Sequence, residues 1–224
     1  MKYVFSVGGS IINPGKIDIS FLKKFKKIIS SRKKDSFVIV CGGGKPAREY
    51  INALEKFGRY DESSKDLLGM SATWVNARLI NLLFKDLSPS QMPSSVEMLV
   101  DQSRQFRVVT CGGFFPGLKT DDDSAVIAEL VGADYVINLT DVDYVYDKDP
   151  KKYRDAMPFR RISYKKYLDI VSRISVGAGS SAPFNLYAAL ICQRSKIKII
   201  IASKDLDNLR NILNRKSFKG TVIS

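Results

Sequence analysis

Histidine is absent from all 224 residues. That excludes a histidine-based catalytic triad, a histidine metal site and a phosphohistidine carrier. Cysteine is scarce: three, an odd number and widely spaced, give neither a disulfide framework nor a metal-binding spacing. Cys41 and Cys111 each precede a Gly-Gly at the end of an apolar run, where a small buried side chain is expected. No apolar run approaches the length of a membrane span, although 45% of the residues are hydrophobic. The first residues, Met1-Lys2-Tyr3-Val4-Phe5-Ser6-Val7, reach glycine too soon for a signal peptide, so a soluble cytoplasmic protein is expected. Acidic residues are outnumbered, 23 against 36 Lys and Arg, for a net charge of +13. Much of that excess, including Lys23, Lys24, Lys26, Lys27, Lys33 and Lys34, accompanies Phe21, Leu22, Phe25, Ile28 and Ile29 at helical spacing. Those lysines read as the solvated face of an amphipathic helix, and nucleic acid is not expected as a partner. A basic surface also draws in anionic small molecules.

What the chain does contain is a strand-to-helix junction, Val38-Ile39-Val40-Cys41-Gly42-Gly43-Gly44-Lys45-Pro46-Ala47-Arg48. A continuous apolar run reads as a fully buried strand of a parallel sheet. The glycines let backbone N–H groups approach a ligand, and a helix start behind them favours negative charge. Pro46 is expected at the first helical position, and Lys45 and Arg48 add cations, so the junction asks for phosphate. Further strands are expected at 3–7, 108–111, 135–139, 197–201 and 220–223. Helices are expected at 20–31, 46–57 with Gly58 as C-cap, 64–84, 96–102, 124–131, 164–171, 184–194 and 206–214. Strands alternating with helices predict an α/β fold with a mainly parallel sheet covered on both faces. No linker or repeat interrupts it, so one domain over 1–224 is expected. Ligands in such sheets collect at the carboxyl ends of the strands, and three of the strands end in glycine pairs or triples.

Gly8-Gly9-Ser10 offers amides and a hydroxyl for phosphate oxygens, or a simple tight turn. In the helix after Ser64, Asp66, Gly69, Thr73 and Asn76 share a small or polar stripe. A glycine there costs about 1 kcal/mol relative to alanine, which suits either close approach of a ligand or tight helix packing. A carboxylate at Asp66 suits hydroxyls such as those of a ribose. In Gly112-Gly113-Phe114-Phe115-Pro116-Gly117-Leu118-Lys119-Thr120-Asp121-Asp122-Asp123, Pro116-Gly117 marks a turn, and Thr120 stands where an N-cap or a base-contacting hydroxyl would be. The acidic run is explained by the dipole of a first helical turn rather than by a metal, and no metal-ligating residue is assigned. Thr140-Asp141-Val142-Asp143-Tyr144-Val145-Tyr146 reads as a polar loop that offers Tyr146 to a purine.

In this order, Gly8-Gly9-Ser10, Gly42-Gly43-Gly44-Lys45-x-Ala47-Arg48, Asp66-x-x-Gly69, Asn76-Ala77, Gly112-Gly113-x-x-Pro116-Gly117-x-x-Thr120-Asp121 and Thr140-Asp141-Val142-Asp143-x-Val145-Tyr146-x-x-Asp149-Pro150 resemble the amino acid kinase family over nearly the whole chain. Within it the chain is most similar to the archaeal type of uridylate kinase. The resemblance implies a three-layer αβα sandwich that transfers phosphate from ATP, with Mg2+, to UMP, assembled as a hexamer. It implies ATP contacts at Gly9, Ser10, Gly44, Arg48, Thr140, Asp141, Tyr146 and Asp149. It places UMP against Gly43, Asp66, Phe114, Phe115, Pro116, Gly117, Leu118, Lys119 and Thr120. Relatives acting on carbamate, acetylglutamate or aspartate, and a non-catalytic nucleotide-storage protein, are the alternatives. Isopentenyl phosphate kinases use a histidine, which this chain lacks.

Four positions depart from the family pattern. Ser6 stands where many members carry lysine, Tyr144 where they carry glycine, Gly177 where some carry lysine, and Asn185 where aspartate is usual. With no lysine at position 6, the catalytic cations are expected to be Lys45 and Arg48. Replacing both with alanine is expected to lower turnover by orders of magnitude, measured as coupled ADP release, while circular dichroism shows an intact fold.

Overall fold

The computed structural model describes residues 1–148, 150, 152–175 and 182–224, so the expectations for Asp149 and Gly177 lie outside the described residues. The first half runs β1 (Lys2–Val7), α1 (Gly9–Ile12), α2 (Ile19–Ser31), β2 (Ser36–Cys41), α3 (Gly44–Glu55), α4 (Glu62–Leu83), α5 (Val96–Gln105) and β3 (Val108–Cys111). The second runs α6 (Thr120–Val131), β4 (Tyr135–Thr140), β5 (Val145–Tyr146), β6 (Pro158–Phe159), β7 (Arg161–Ile162), α7 (Tyr164–Ser175), α8 (Leu186–Arg194), β8 (Lys198–Ser203), α9 (Leu206–Leu213) and β9 (Thr221–Ile223).

One sheet has the order β3-β2-β1-β4-β8-β9-β7, and β5 pairs with β6 in a separate ribbon. The five strands from β3 to β8 are mutually parallel, whereas β9 runs antiparallel to β8. Strand periodicity sorts the side chains into two layers. Tyr3, Phe5 and Val7 share one core with Phe25 of α2, Ile80 of α4 and Leu209 of α9. Val4 shares the other with Leu99 of α5, Ile127 of α6, Tyr167 of α7 and Ala188 of α8. The expected αβα sandwich therefore forms. Because the five parallel strands point the same way, the ends of β1, β2, β3 and β4 share one edge of the sheet.

Some expected boundaries are corrected. Helix α3 starts at Gly44, so Pro46 is its third residue rather than its first. Its cap is Lys56, and Gly58 lies two residues further on with φ +150° rather than serving as the C-cap. Helix α6 starts at Thr120 instead of 124, with Lys119 as N-cap, so the acidic run forms its first turn. Helix α8 starts at Leu186, and the Asn185 side chain caps it by accepting a hydrogen bond from Ala188 N. Asparagine serves at an N-cap as well as aspartate does. The short elements α1, β6 and β7 carry no periodic signal and were not expected.

Tyr167, fully buried, ties α7 to the segment leading into α8: its hydroxyl donates to the Phe184 carbonyl and accepts from Phe184 N at 3.1 Å. That segment carries Pro183, which borders the site described next. Tyr167→Phe leaves a buried N–H unpaired and is expected to destabilise the fold by about 1–3 kcal/mol, read as a lower urea midpoint.

Candidate active site

The loops after β1 and β2 lie backbone against backbone. A Cβ on Gly9 would stand 1.9 Å from Gly44 N, and one on Gly42 would stand 2.5 Å from Gly9 N. Gly44 has φ +71° and a Cβ there would meet Gly9 O at 2.5 Å. These glycines let two loops touch, which the sequence had assigned to the approach of a ligand.

Helix α4 holds the loops in place. Asn76 Nδ2 donates to Gly42 O at 2.7 Å. One turn earlier Thr73 Oγ1 accepts from Gly113 N at 2.9 Å, and the neighbouring Trp74 Nε1 donates to Gly113 O at 2.8 Å. Gly69 sits against Gly43, whose added Cβ would stand 3.2 Å from Gly69 O. Asp66 Oδ2 accepts from Gly117 N at 2.8 Å, so this carboxylate anchors the Pro116-Gly117 turn. The polar stripe therefore positions the β2 and β3 loops, and a Cβ on Gly69 would meet only the end of the Ile51 side chain, at 3.2 Å.

At the ends of β1 and β4 lies a cavity of about 220 Å³, bordered by Ser6, Ser10, Lys119, Asp121, Asn138 and Asp141. Thr120, Thr140 and Pro183 also line it. Ser6 and Asn138 are register partners on adjacent strands, both buried, and both face the α6 side of the sheet. Ser6 Oγ donates to Asp121 Oδ1 at 2.9 Å, and Asn138 Nδ2 donates to Pro183 O. Removal from water pushes Asp121 up to about 7, opposed by the Ser6 hydrogen bond and by the N–H of Asn185. The other acids of this turn have different tasks. Asp122 Oδ2 accepts from Lys119 N at 2.9 Å, and buried Asp123 faces the Gly113 loop.

Of the expected ATP and UMP contacts, the cavity brings together Ser10, Thr140 and Asp141 with Lys119 and Thr120. Lys45 and Arg48 are exposed on α3 and do not border it; Lys45 Nζ lies 3.5 Å from Glu49. Phe115 is exposed on the β3 loop, whereas Phe114 packs edge-on against Trp74 with ring centroids 5.3 Å apart. Tyr146 sits in the β5–β6 ribbon against Tyr144, ring centroids 6.2 Å apart. Sequence reasoning missed Ser6, Asn138 and Asp121 as a cluster. The available signal was a polar residue inside each of two apolar strands.

Residues 1–203 match the amino acid kinase family. The chain belongs to that family. It is 43% identical to the uridylate kinase of Thermoplasma volcanium, over 95% of this chain and 93% of that protein. With the uridylate kinase of Thermoplasma acidophilum it shares 37% identity, over 98% of this chain and 95% of the relative. The crystal structure of uridylate kinase from Archaeoglobus fulgidus superposes with a TM-score of 0.88 at 35% identity and covers 100% of both chains. In this amino acid kinase the Ser6 position is filled by a short hydroxyl bonded to Asp121, not by a cation.

Burial also pushes Asp123 up to about 7, opposed by Phe114 N–H. Between the ordinary carboxylate range near pH 4 and pH 7, the folded chain holds this proton while the unfolded chain has released it. Stability therefore falls as pH rises through that window and stays lowered above it. Asp123→Asn keeps the acceptor for Phe114 and removes the charge. It is expected to raise unfolding stability at pH 8 by at least about 1 kcal/mol and to flatten the pH 4–7 slope in urea titrations.

Proposed function

We propose that this amino acid kinase phosphorylates UMP to UDP with ATP. The observation that carries the reading is the cavity at the β1 and β4 strand ends, where residues expected on the ATP side meet residues expected on the UMP side. Full-length similarity to uridylate kinases supports the choice of UMP as acceptor.

In this reading an oxygen of the UMP phosphate forms a bond to the γ-phosphorus of ATP as the bond to the bridging oxygen breaks, giving UDP and ADP. The acceptor is already an anion, so positioning and charge stabilisation matter more than a strong base. Helices α1 and α3 begin within three residues of the ends of β1 and β2, and preorganised donors at that edge need no rearrangement during transfer. Gly9, Ser10, Gly44, Arg48, Thr140, Asp141, Tyr146 and Asp149 are assigned to ATP. Gly43, Asp66 and the loop from Phe114 through Phe115, Pro116, Gly117, Leu118 and Lys119 to Thr120 are assigned to UMP. Lys45 and Arg48, expected from the sequence as the catalytic cations, lie outside the cavity and are assigned here to the ATP phosphates.

Magnesium fits as a companion of ATP. Among the described residues no three acidic, cysteine or histidine groups form a cage, and Mg2+ commonly binds one or two carboxylates plus substrate phosphates. Asp121 and Asp141 are the carboxylates at the cavity that would hold it, and when bound it supplies charge neutralisation of the phosphates. A homo-oligomer, hexameric by resemblance, is supported by Leu67, Val75 and Leu82, exposed on one side of α4. Three unpaired, buried cysteines fit the reducing cytoplasm, and residues 1–224 are read as one domain.

A coupled ADP-release assay with ATP and Mg2+ tests the activity. Release is expected with UMP and none above background with carbamate or acetylglutamate, while CMP and dCMP measure the breadth of the base site. Calorimetric binding of ATP and UMP without ADP release would instead identify a storage protein.

A further inference from the structure

Two phosphates that must meet repel each other, and the place where they meet here is poor in positive charge. The strand-end cavity carries two carboxylates, Asp121 and Asp141, and its neutral polar wall is formed by Ser6, Ser10 and Asn138. Ser6 satisfies one oxygen of Asp121 but cannot neutralise a phosphate. The two cations of the β2 junction do not reach this space. Lys45 lies along α3 beside Glu49, its stem next to Gly15, and Arg48 is exposed further along the same helix. Among the described residues, the one cationic side chain that borders the cavity is Lys119.

Lys119 is held at its root, and its ammonium forms no ion pair among the described residues, although its charge acts on Asp121. As N-cap of α6 it has extended backbone, φ −89° and ψ 163°. Its N–H donates to Asp122 Oδ2 at 2.9 Å, and its carbonyl accepts from Asp122 N at 2.9 Å and Asp123 N at 3.1 Å. No carboxylate of the described residues lies within ion-pair distance of its ammonium group, and the side chain is solvent-exposed. A lysine on a fixed base with an unengaged tip can follow a moving charge at little cost in reorganisation. Lys119 is the N-cap of α6, so its positive charge sits at the positive end of that helix's dipole.

We propose that Lys119 is the cation that stabilises the phosphoryl group during its transfer, rather than an anchor for UMP alone. Ser6 brings no charge to the cavity, and Lys119 is the cation that borders it. The assignment rests on the kinase reading given above and specifies which residue of that site acts on the migrating group. A group that acts only in the transition state changes kcat, whereas a ground-state anchor changes substrate affinity.

The test compares the full-length parent with Lys119→Met and Lys119→Arg. It measures kcat by coupled ADP release and the dissociation constants of UMP and ATP by calorimetry. Lys119→Met is expected to lower kcat at least about 50-fold, the scale of losing one preorganised charge-stabilising group, with both dissociation constants within about threefold of the parent. Lys119→Arg, which keeps the charge, is expected to recover at least about tenfold over the methionine variant. If the methionine variant does not fold by circular dichroism, Lys119→Gln is measured in its place against the same expectations. A kcat within about threefold of the parent, a loss confined to UMP affinity, or equal losses in the arginine and methionine variants would each overturn the assignment. In those cases the parent still releases ADP with UMP and the kinase reading stands. A parent that binds both nucleotides and releases no ADP overturns that reading, and this assignment with it.

Discussion

The contact on which the site depends is backbone against backbone. Gly9 and Gly44 meet with no room for even a methyl group between them, and Gly42 closes on Gly9 from the side. An L-residue at Gly44 would also have to adopt φ +71°. This packing brings the ends of β1 and β2 to a common surface and turns the first residues of α1 and α3 toward one edge of the sheet. Helix α4 then locks the arrangement: Asn76 takes the β2 loop, and Thr73 and Trp74 take the β3 loop. Two of the loops are thus held directly by one helix, and the β1 loop is held through its packing against the β2 loop. Donors fixed in this way lose little entropy when phosphate arrives, which is what preorganisation means energetically.

Most of the fold was legible because its strands are buried on both faces. A continuous apolar run such as Phe37-Val38-Ile39-Val40 can be satisfied only inside a covered sheet, and glycines mark where it stops. Boundaries were less legible where local rules competed. Pro46 is at home in the first turn of a helix without being its first residue, since none of the early N–H groups has an intrahelical partner. The start of α6 was placed late because Thr120-Asp121-Asp122-Asp123 reads equally as loop and as first turn. Strands of two residues, such as β6 and β7, have no periodicity to read and exist only through their partners.

The site was legible in its glycines and illegible in its pairings. Gly8-Gly9, Gly42-Gly43-Gly44 and Gly112-Gly113 announced themselves, but their structural task turned out to include touching one another and α4. Asp66 was read as a partner for a ribose and is engaged through one oxygen with Gly117 N. That bond shapes the very loop expected to wrap the acceptor, so one carboxylate oxygen can set the loop while the other is open to a ligand. Ser6 and Asn138 escaped notice because each alone is a small polar residue in an apolar strand. Only the register of β1 against β4 makes them neighbours, and parallel register is not written in either strand.

That register has an electrostatic consequence. A buried polar side chain needs a partner, and the two residues find theirs in different elements: Ser6 in Asp121 of α6, Asn138 in the Pro183 carbonyl ahead of α8. The pair therefore stitches two helices to the sheet at the place where phosphate is to bind. A lysine at position 6 would have combined this stitching with a positive charge. Serine separates the two roles. Its hydroxyl holds one oxygen of the Asp121 carboxyl in place, while desolvation pushes that carboxyl up from its ordinary range. The cavity still carries Asp121 and Asp141, so stabilising a phosphoryl group there falls to cations that reach it, of which Lys119 is the one among the described residues. Ser6, Asp121 and Lys119 thus meet at one cavity, where a hydroxyl, a carboxyl and a cation face the same space.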